Sequence, residues 1–207
     1  MNDVILKGIL KDIQHSHEID DVTFDKAKLL VKRDNGVEDI INLRFKSFSN
    51  VYKDNDEVSL KGNLRSYSYK VSEDKNKVII YVFTYFDKPE EEENNKVTLD
   101  GRICKINPIR TTRTGKHNIH LILAHNLVFE GQSRRLNSYI PCIAWGKVAK
   151  EIAELGVNTK ISVSGSIHSR EHKKKYDDGN VEIRVAHELL IDSFEVVECD
   201  NINIYMR

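Results

Sequence analysis

Between Val97 and Ile191 the chain carries five runs of alternating apolar and polar residues, interrupted once by a short helical pattern. Val97 to Ile106 opens the series. Asn107-Pro108-Ile109-Arg110 and the basic tip Arg113-Thr-Gly-Lys116 lead to a second run, Asn118 to Ala124. The third run is Tyr139 to Lys147, followed by a helical segment, Val148 to Leu155. Lys160 to Arg170 is the fourth. A basic, turn-rich hairpin from Glu171 to Gly179 leads to the fifth, around Val181 to Ile191. Period-two alternation puts one side of each run in a core and the other in solvent.

Three strands, a helix and two strands is the order of an OB-fold barrel. The chain has 207 residues, enough for two such domains. The first half repeats the pattern in degenerate form. Val4 to Ile13 resembles Val97 to Ile106, and Val58 to Ser66 resembles Ile161 to Ser169, each pair with a glycine at the same place. Glycine in a strand permits a bend or a close backbone approach. The other first-half strands fall near Thr23–Lys32, Asp39–Lys46 and Lys77–Phe86, with Asp34-Asn-Gly36 a tight hairpin. The expected architecture is all-β: two tandem OB-fold barrels, each five-stranded with a short helix between strands 3 and 4. Lys88-Pro-Glu-Glu-Glu-Glu-Asn-Asn95 combines a proline with like charges and reads as a linker. The expected domains are 1–88 and 96–198, with an acidic linker at 89–95 and a short tail at 199–207.

Residues 1–93 hold 15 basic and 19 acidic side chains, and residues 94–207 hold 17 and 13, so the second half is the better anion-binding candidate. Zero net charge argues against broad duplex binding. No apolar run is long enough to span a membrane, and the N-terminus lacks the pattern of a signal peptide. Cys104, Cys142 and Cys199 are scattered, which suits reduced thiols and a cytoplasmic protein. No phosphate-binding glycine loop or nucleophile elbow occurs, so no enzyme and no cofactor is expected. His15-Ser-His17 with Glu18, Asp20 and Asp21 lacks a second ligand cluster at zinc spacing, so no metal is expected.

Holding a single nucleic-acid strand without reading its sequence takes aromatic faces for bases and cations for phosphates. The second half offers aromatic candidates in Phe129, Tyr139, Trp145 and Tyr176. Its basic candidates are Arg110, Arg113, Lys116, Arg134, Arg135, Lys147, Arg170 and the run Lys173, Lys174 and Lys175. Trp145 ends an apolar run and fits the core as well as a stacking face. Phe129 fits packing inside a loop equally well. Tyr139 has polar neighbours, which favours exposure.

Residues 97–191 resemble the bacterial single-stranded DNA-binding proteins. The resemblance rests on Gly101-Arg-Ile103 with Pro108-Ile-Arg-Thr111, on Thr114-Gly-Lys116, and on Tyr139-Ile-Pro-Cys-Ile-Ala-Trp-Gly-Lys-Val-Ala149. Gly165-Ser-Ile-His-Ser-Arg170 and Asp178-Gly179 complete it. It implies binding of single-stranded DNA on OB-folds, four folds per assembly, and base stacking at Phe129, Tyr139, Trp145 and His172. His172 departs from the usual aromatic there. The first half resembles the family only through the repeat, which sets Phe45 against Trp145 and Tyr69 against His172. Phe45, Arg65, Tyr67 and Tyr69 are the first-half candidates, although Tyr-x-Tyr alternation also suits an ordinary strand face. The last residues, Glu198 to Arg207, lack the acidic tail with which such proteins often recruit partners.

The expected function is therefore non-enzymatic binding of single-stranded DNA during replication, recombination or plasmid transfer. A homodimer would supply four OB-folds. The alternative is a protein-docking module of a replication or transfer complex, with weak nucleic-acid binding.

Overall fold

The structure, a computed structural model, describes residues 1–47, 52–72, 75–89, 93–128, 135–175, 179 and 181–197. Each predicted run of alternation contains a strand, although the third ends at Trp145, with Gly146 and Lys147 in the helix, and the fifth first-half run ends at Thr84. In the first half these are β1 (Asn2–Ile19), β2 (Val22–Lys32), β3 (Glu38–Lys46), β4 (Glu57–Ser72) and β5 (Lys75–Thr84). The second half has β6 (Lys96–Ile106), a two-residue β7 (Arg110–Thr111), β8 (His117–Val128) and β9 (Arg135–Trp145). The helix α1 (Gly146–Ala153), β10 (Lys160–Lys175) and β11 (Val181–Val196) follow. The fold is all-β with one short helix among the described residues.

Pairing closes on itself twice. In the first half β1 pairs with β2 and β4, and β3 joins β2 to β5, which returns to β4. The second half repeats the circuit through β6, β8, β9, β11 and β10. In both circuits the third-to-fifth pairing is parallel and the others antiparallel. Inward residues of each circuit form the core: Leu6, Leu29, Leu43 and Leu64 in one, Leu99, Leu123, Ile140 and Ile167 in the other. Each fully buried side chain of this size contributes about 1.5–3 kcal/mol.

Two expectations need correction. No helix lies between β3 and β4 among the described residues; residues 48–51 lie outside them. In the basic hairpin expected from Glu171 to Gly179, β10 runs as strand to Lys175, which pairs with Val181, and residues 176–178 lie outside the described residues. Polar alternation with no core beneath it still builds a two-stranded ribbon, because backbone hydrogen bonds carry the ladder. The second correction concerns Phe45, which β3 turns into the core rather than toward solvent.

The halves match residue for residue. Leu64 pairs with Val82 and Leu43 also pairs with Val82; Ile167 pairs with Leu189, and so does Cys142. Leu64 therefore corresponds to Ile167, and Leu43 to Cys142. Asn2 bonds through its side chain to both backbone groups of Leu64 (2.8 and 2.9 Å), and Asn95 does the same to Ile167 (2.8 and 2.8 Å). Gly62, the counterpart of Gly165, has no room for a side chain: a Cβ there would lie 2.5 Å from Val82 Cγ1 and 2.6 Å from the Phe83 oxygen. The halves join through β1 and β6, where Val4 faces its own counterpart, Val97. A local pseudo-twofold axis passes through this antiparallel pair.

Candidate nucleic-acid interface

β9 sorts its side chains cleanly. Ile140, Cys142 and Ala144 point into the core, so Tyr139, Pro141, Ile143 and Trp145 face outward. Tyr139 and Trp145 are 43% and 41% exposed. They stand six positions apart along the strand, about 20 Å. Their cross-strand neighbours are small or polar: Ala124 beside Tyr139, Asn118 beside Trp145. Two rings thus stand at opposite ends of one open face.

Cations border both ends. Asn118 pairs with Arg110 as well as with Trp145, so Arg110 lies on the Trp145 face two strands away. Ala124 pairs with Arg102 as well as with Tyr139, which brings Arg102 to the other end. Arg102 also donates to the Asn158 oxygen at 2.9 Å. A depression of about 550 Å³ opens at Trp145, lined by Lys116, His117, Lys147 and Lys150. Arg113 is exposed on the β7–β8 hairpin, whose tip is tied by Thr112 N–H to the Lys116 oxygen (2.8 Å). Arg170 is exposed too, on the part of β10 that reaches the first half at Ser169. Sequence reasoning missed Lys150 and Arg102. Lys150 lies three residues after Lys147 on α1, one turn along the same face.

Phe129, Arg134 and Tyr176 lie outside the described residues. Arg135, His172, Lys173, Lys174 and Lys175 lie in described strands, but their side chains are outside the described set.

In the first half, Phe45 is a core residue, 4% exposed, packed edge-on against Phe86 at 4.9 Å. The register makes it the counterpart of Ala144; Lys46 is the counterpart of Trp145. Matching Phe45 to Trp145 sets the repeat one residue off, and one residue turns a strand side chain to the opposite face. Arg65 is also buried, at 9% exposure, with its guanidinium 4.1 Å from the Phe83 ring centre. Burial, partly offset by Tyr81 and Tyr85, lowers its affinity for protons. With so little surface exposed, it offers little to a phosphate. Tyr67 is half-buried and Tyr69 is 42% exposed, their rings 6.4 Å apart.

Beside them is a cleft of about 250 Å³, lined by Lys26, Lys28, Asn42, Arg44, Tyr67 and Tyr81 among others. Arg44 sits 4.3 Å from the Tyr67 ring centre and 4.7 Å from that of Tyr81. Asp12 holds Lys28 at 2.6 Å. The overall acidity of this half conceals the cluster. The even-numbered outward positions of β2 and β3 gather Lys26, Lys28, Arg44 and Lys46 on one face. Reading those strands at period two would have found them.

The model of the single-strand binding protein family matches residues 94–197, and the chain belongs to that family. It is a family of binding proteins rather than enzymes. In fold, the chain is similar to the wild-type single-stranded DNA binding protein from Thermus aquaticus, with a TM-score of 0.70 at 18% identity over 96% of this chain and 94% of that one. A deletion variant of the same Thermus protein gives 0.69 and 18%, over 97% and 96%. These similarities extend the shared fold across both halves. No curated protein sequence matches the chain. Among the described residues no helix is long and apolar enough to cross a membrane.

Proposed function

We propose that this chain binds single-stranded DNA without sequence specificity, on the outer faces of two tandem OB-fold barrels. Each closed circuit of five strands is read as one barrel, spanning residues 1–88 and 96–198, with 89–95 connecting them. One observation carries the reading: Tyr139 and Trp145 stand exposed on one strand face, with Arg110, Lys116, Lys147 and Lys150 around Trp145. Bases stack on the rings and phosphates meet the cations. Arg113, Arg170 and, by position in the chain, Phe129, Arg134, Arg135, His172, Lys173, Lys174 and Tyr176 extend that surface. In the first half the contacts are Tyr67 and Tyr69 with Arg44, Lys26 and Lys28, and Phe45 and Arg65 are left out. A homodimer supplies four OB-folds, and coating of exposed strands in replication, recombination or plasmid transfer is the role that follows.

Trp145 is the only tryptophan, so its fluorescence reports on this face directly. Titration with oligo-dT at low salt is expected to quench it to saturation, and moderate salt to weaken the binding. A duplex of equal length is expected to bind far less. No quench, and no preference for oligo-dT over the duplex, would overturn the reading.

A further inference from the structure

The β1–β6 pairing that joins the halves is short, running from Asn2↔Leu99 to Ile5↔Lys96. The pair lies inside a continuous run of strands, β4–β1–β6–β10, and adjacent strands of a sheet still span a range of twist. Besides this pairing and the bonds beside it, such as the Met1 ammonium to Asp100 (2.6 Å) and Lys7 N–H to Asn94 Oδ1 (3.0 Å), a pair of lateral contacts ties the halves, one on each side. On one side the Tyr139 N–H donates to Ser66 Oγ (2.7 Å) and the Ser66 N–H donates to Ser138 Oγ (3.3 Å). On the other side the counterparts make the same bonds: Ile40 N–H donates to Ser169 Oγ (2.8 Å), and Ser169 N–H donates to Asp39 Oδ1 (2.6 Å).

The two contacts differ in charge. Ser138 is neutral; its counterpart, Asp39, is a carboxylate with no exposed side-chain surface. Arg33 grips it through Nε and Nη2, each at 2.6 Å, and the Ser169 hydroxyl donates to it at 3.3 Å. His187 adds a bond from Nε2 to the Ile40 oxygen at 2.7 Å. Charge-assisted bonds of this kind are shorter and about twice as strong as neutral ones. The charged contact is therefore the stiffer of the two.

The contacts also lie where orientation matters. Tyr139 belongs to the second-half face, and Ser66 immediately precedes Tyr67 of the first-half cleft. We propose that Asp39, gripped by Arg33 and bonded across to Ser169, is a positioning residue that holds the two strand-binding faces in one relative orientation, so that one DNA strand engages both. This rests on the proposed binding of single-stranded DNA to both faces. Two sites held at a fixed separation bind a bridging strand more tightly than either binds alone, and the gain depends on geometry.

The test is Asp39→Ser, which copies the neutral residue found at the opposite contact, alongside Ser169→Ala. Two measurements are made on each. Amide hydrogen exchange is expected to quicken at Ile40 and Ser169 while Tyr139 stays protected. Binding is then compared for an oligo-dT of about 8 nucleotides, matched to one face, and one of about 30, able to cover both. The long strand is expected to bind about three- to tenfold more weakly, and the short strand to change by less than about twofold. Unchanged exchange would show that there is no latch. Faster exchange with equal weakening of both strands, or of neither, would overturn the positioning role. If the wild-type chain binds neither strand, the functional reading falls and the positioning role with it, whereas the exchange result still decides whether the latch exists.

Discussion

Replacing Trp145 and Phe45 in turn separates the surface from the core. Trp145 is 41% exposed and lies outside the inward set of β9, so Trp145→Ala forfeits part of one aromatic's burial, about 1–2 kcal/mol. It removes a stacking platform worth about 1–3 kcal/mol per base. At tenfold per about 1.4 kcal/mol, oligo-dT should bind about 5- to 150-fold more weakly. Phe45 is 4% exposed and packs edge-on against Phe86, which Tyr52 covers in turn. Phe45→Ala should cost about 3–5 kcal/mol of stability. Phe45→Leu, at about 1–2 kcal/mol, should leave a folded protein whose affinity changes by less than about twofold. Stability is read by far-UV circular dichroism in urea, since Trp145→Ala removes the fluorophore, and affinity by anisotropy of labelled oligo-dT. If Phe45→Leu weakens binding as much as Trp145→Ala with its melting temperature intact, Phe45 faces the DNA and the inward register of β3 is wrong. If Trp145→Ala binds as the wild type does, the β9 face is not the stacking surface.

Replacing Lys116, Lys147 and Lys150 together by alanine should reduce the slope of log affinity against log salt by about 2, at about 0.7 per phosphate contact, as measured by fluorescence titration at several salt concentrations. Burial holds His187 and His168 below the ordinary histidine value, so the folded chain refuses protons that the unfolded chain accepts below about pH 6.5. Their contribution is complete above that pH and declines below it; the calorimetric melting temperature should be flat from about pH 8.5 to 7.5 and fall by about pH 5.5, less so in His187→Gln. Burial alone would raise the Asp39 carboxyl, but hydrogen bonds from Arg33 and Ser169 outweigh it and hold it low, so its contribution persists until more acid conditions, below its ordinary 3.8. Burial also pushes up the thiols of both Cys142 and Cys104, but only Cys104 is exposed, so mass spectrometry after mild alkylation should find Cys104 modified well before Cys142.

Where a core lay beneath the strands, their order could be read from the sequence. Leu6, Leu29 and Leu64 mark inward positions at period two, and Asn35-Gly36 forms its turn with Gly36 at φ 81°. The ribbon ends could not be read. Glu171 to Lys175 is polar throughout, and nothing in a polar run distinguishes paired strand from loop. The site was legible to the same limit. Trp145 was ambiguous because it ends an apolar run, and only the register of β9 decides which way it faces. Tyr81 and Phe83 are residue types common in cores, yet they occupy the outer face of β5 beneath Arg44 and Arg65. Asp39 gave no signal, since its partner Ser169 lies 130 residues away.

The misplaced Phe45 follows from how each half closes one end of its core. In the second half, α1 lies across that end and inserts Ala149 and Ile152. A helix so close requires a small residue beneath it, and Ala144 is fully buried there. The first half has no such helix among the described residues, and the counterpart of Ala144 is Phe45. Its ring fills the space together with Phe86 and Tyr52, which stack at 4.3 Å. Phe86 takes up a left-handed backbone, φ 61°, to reach this position. That conformation costs a bulky residue about 1–3 kcal/mol, and aromatic packing offsets it. Interiors are packed to constant density, so where no helix from the described residues covers a core position, a larger side chain can fill the space. The large aromatic at Phe45 fills the end of the core where Ala144 stands in the second half, and sequence matching paired it with Trp145 because both are large aromatics near the end of the same strand. Size alone does not distinguish a ring that fills a core from a ring that meets a base; which face of the strand carries it does.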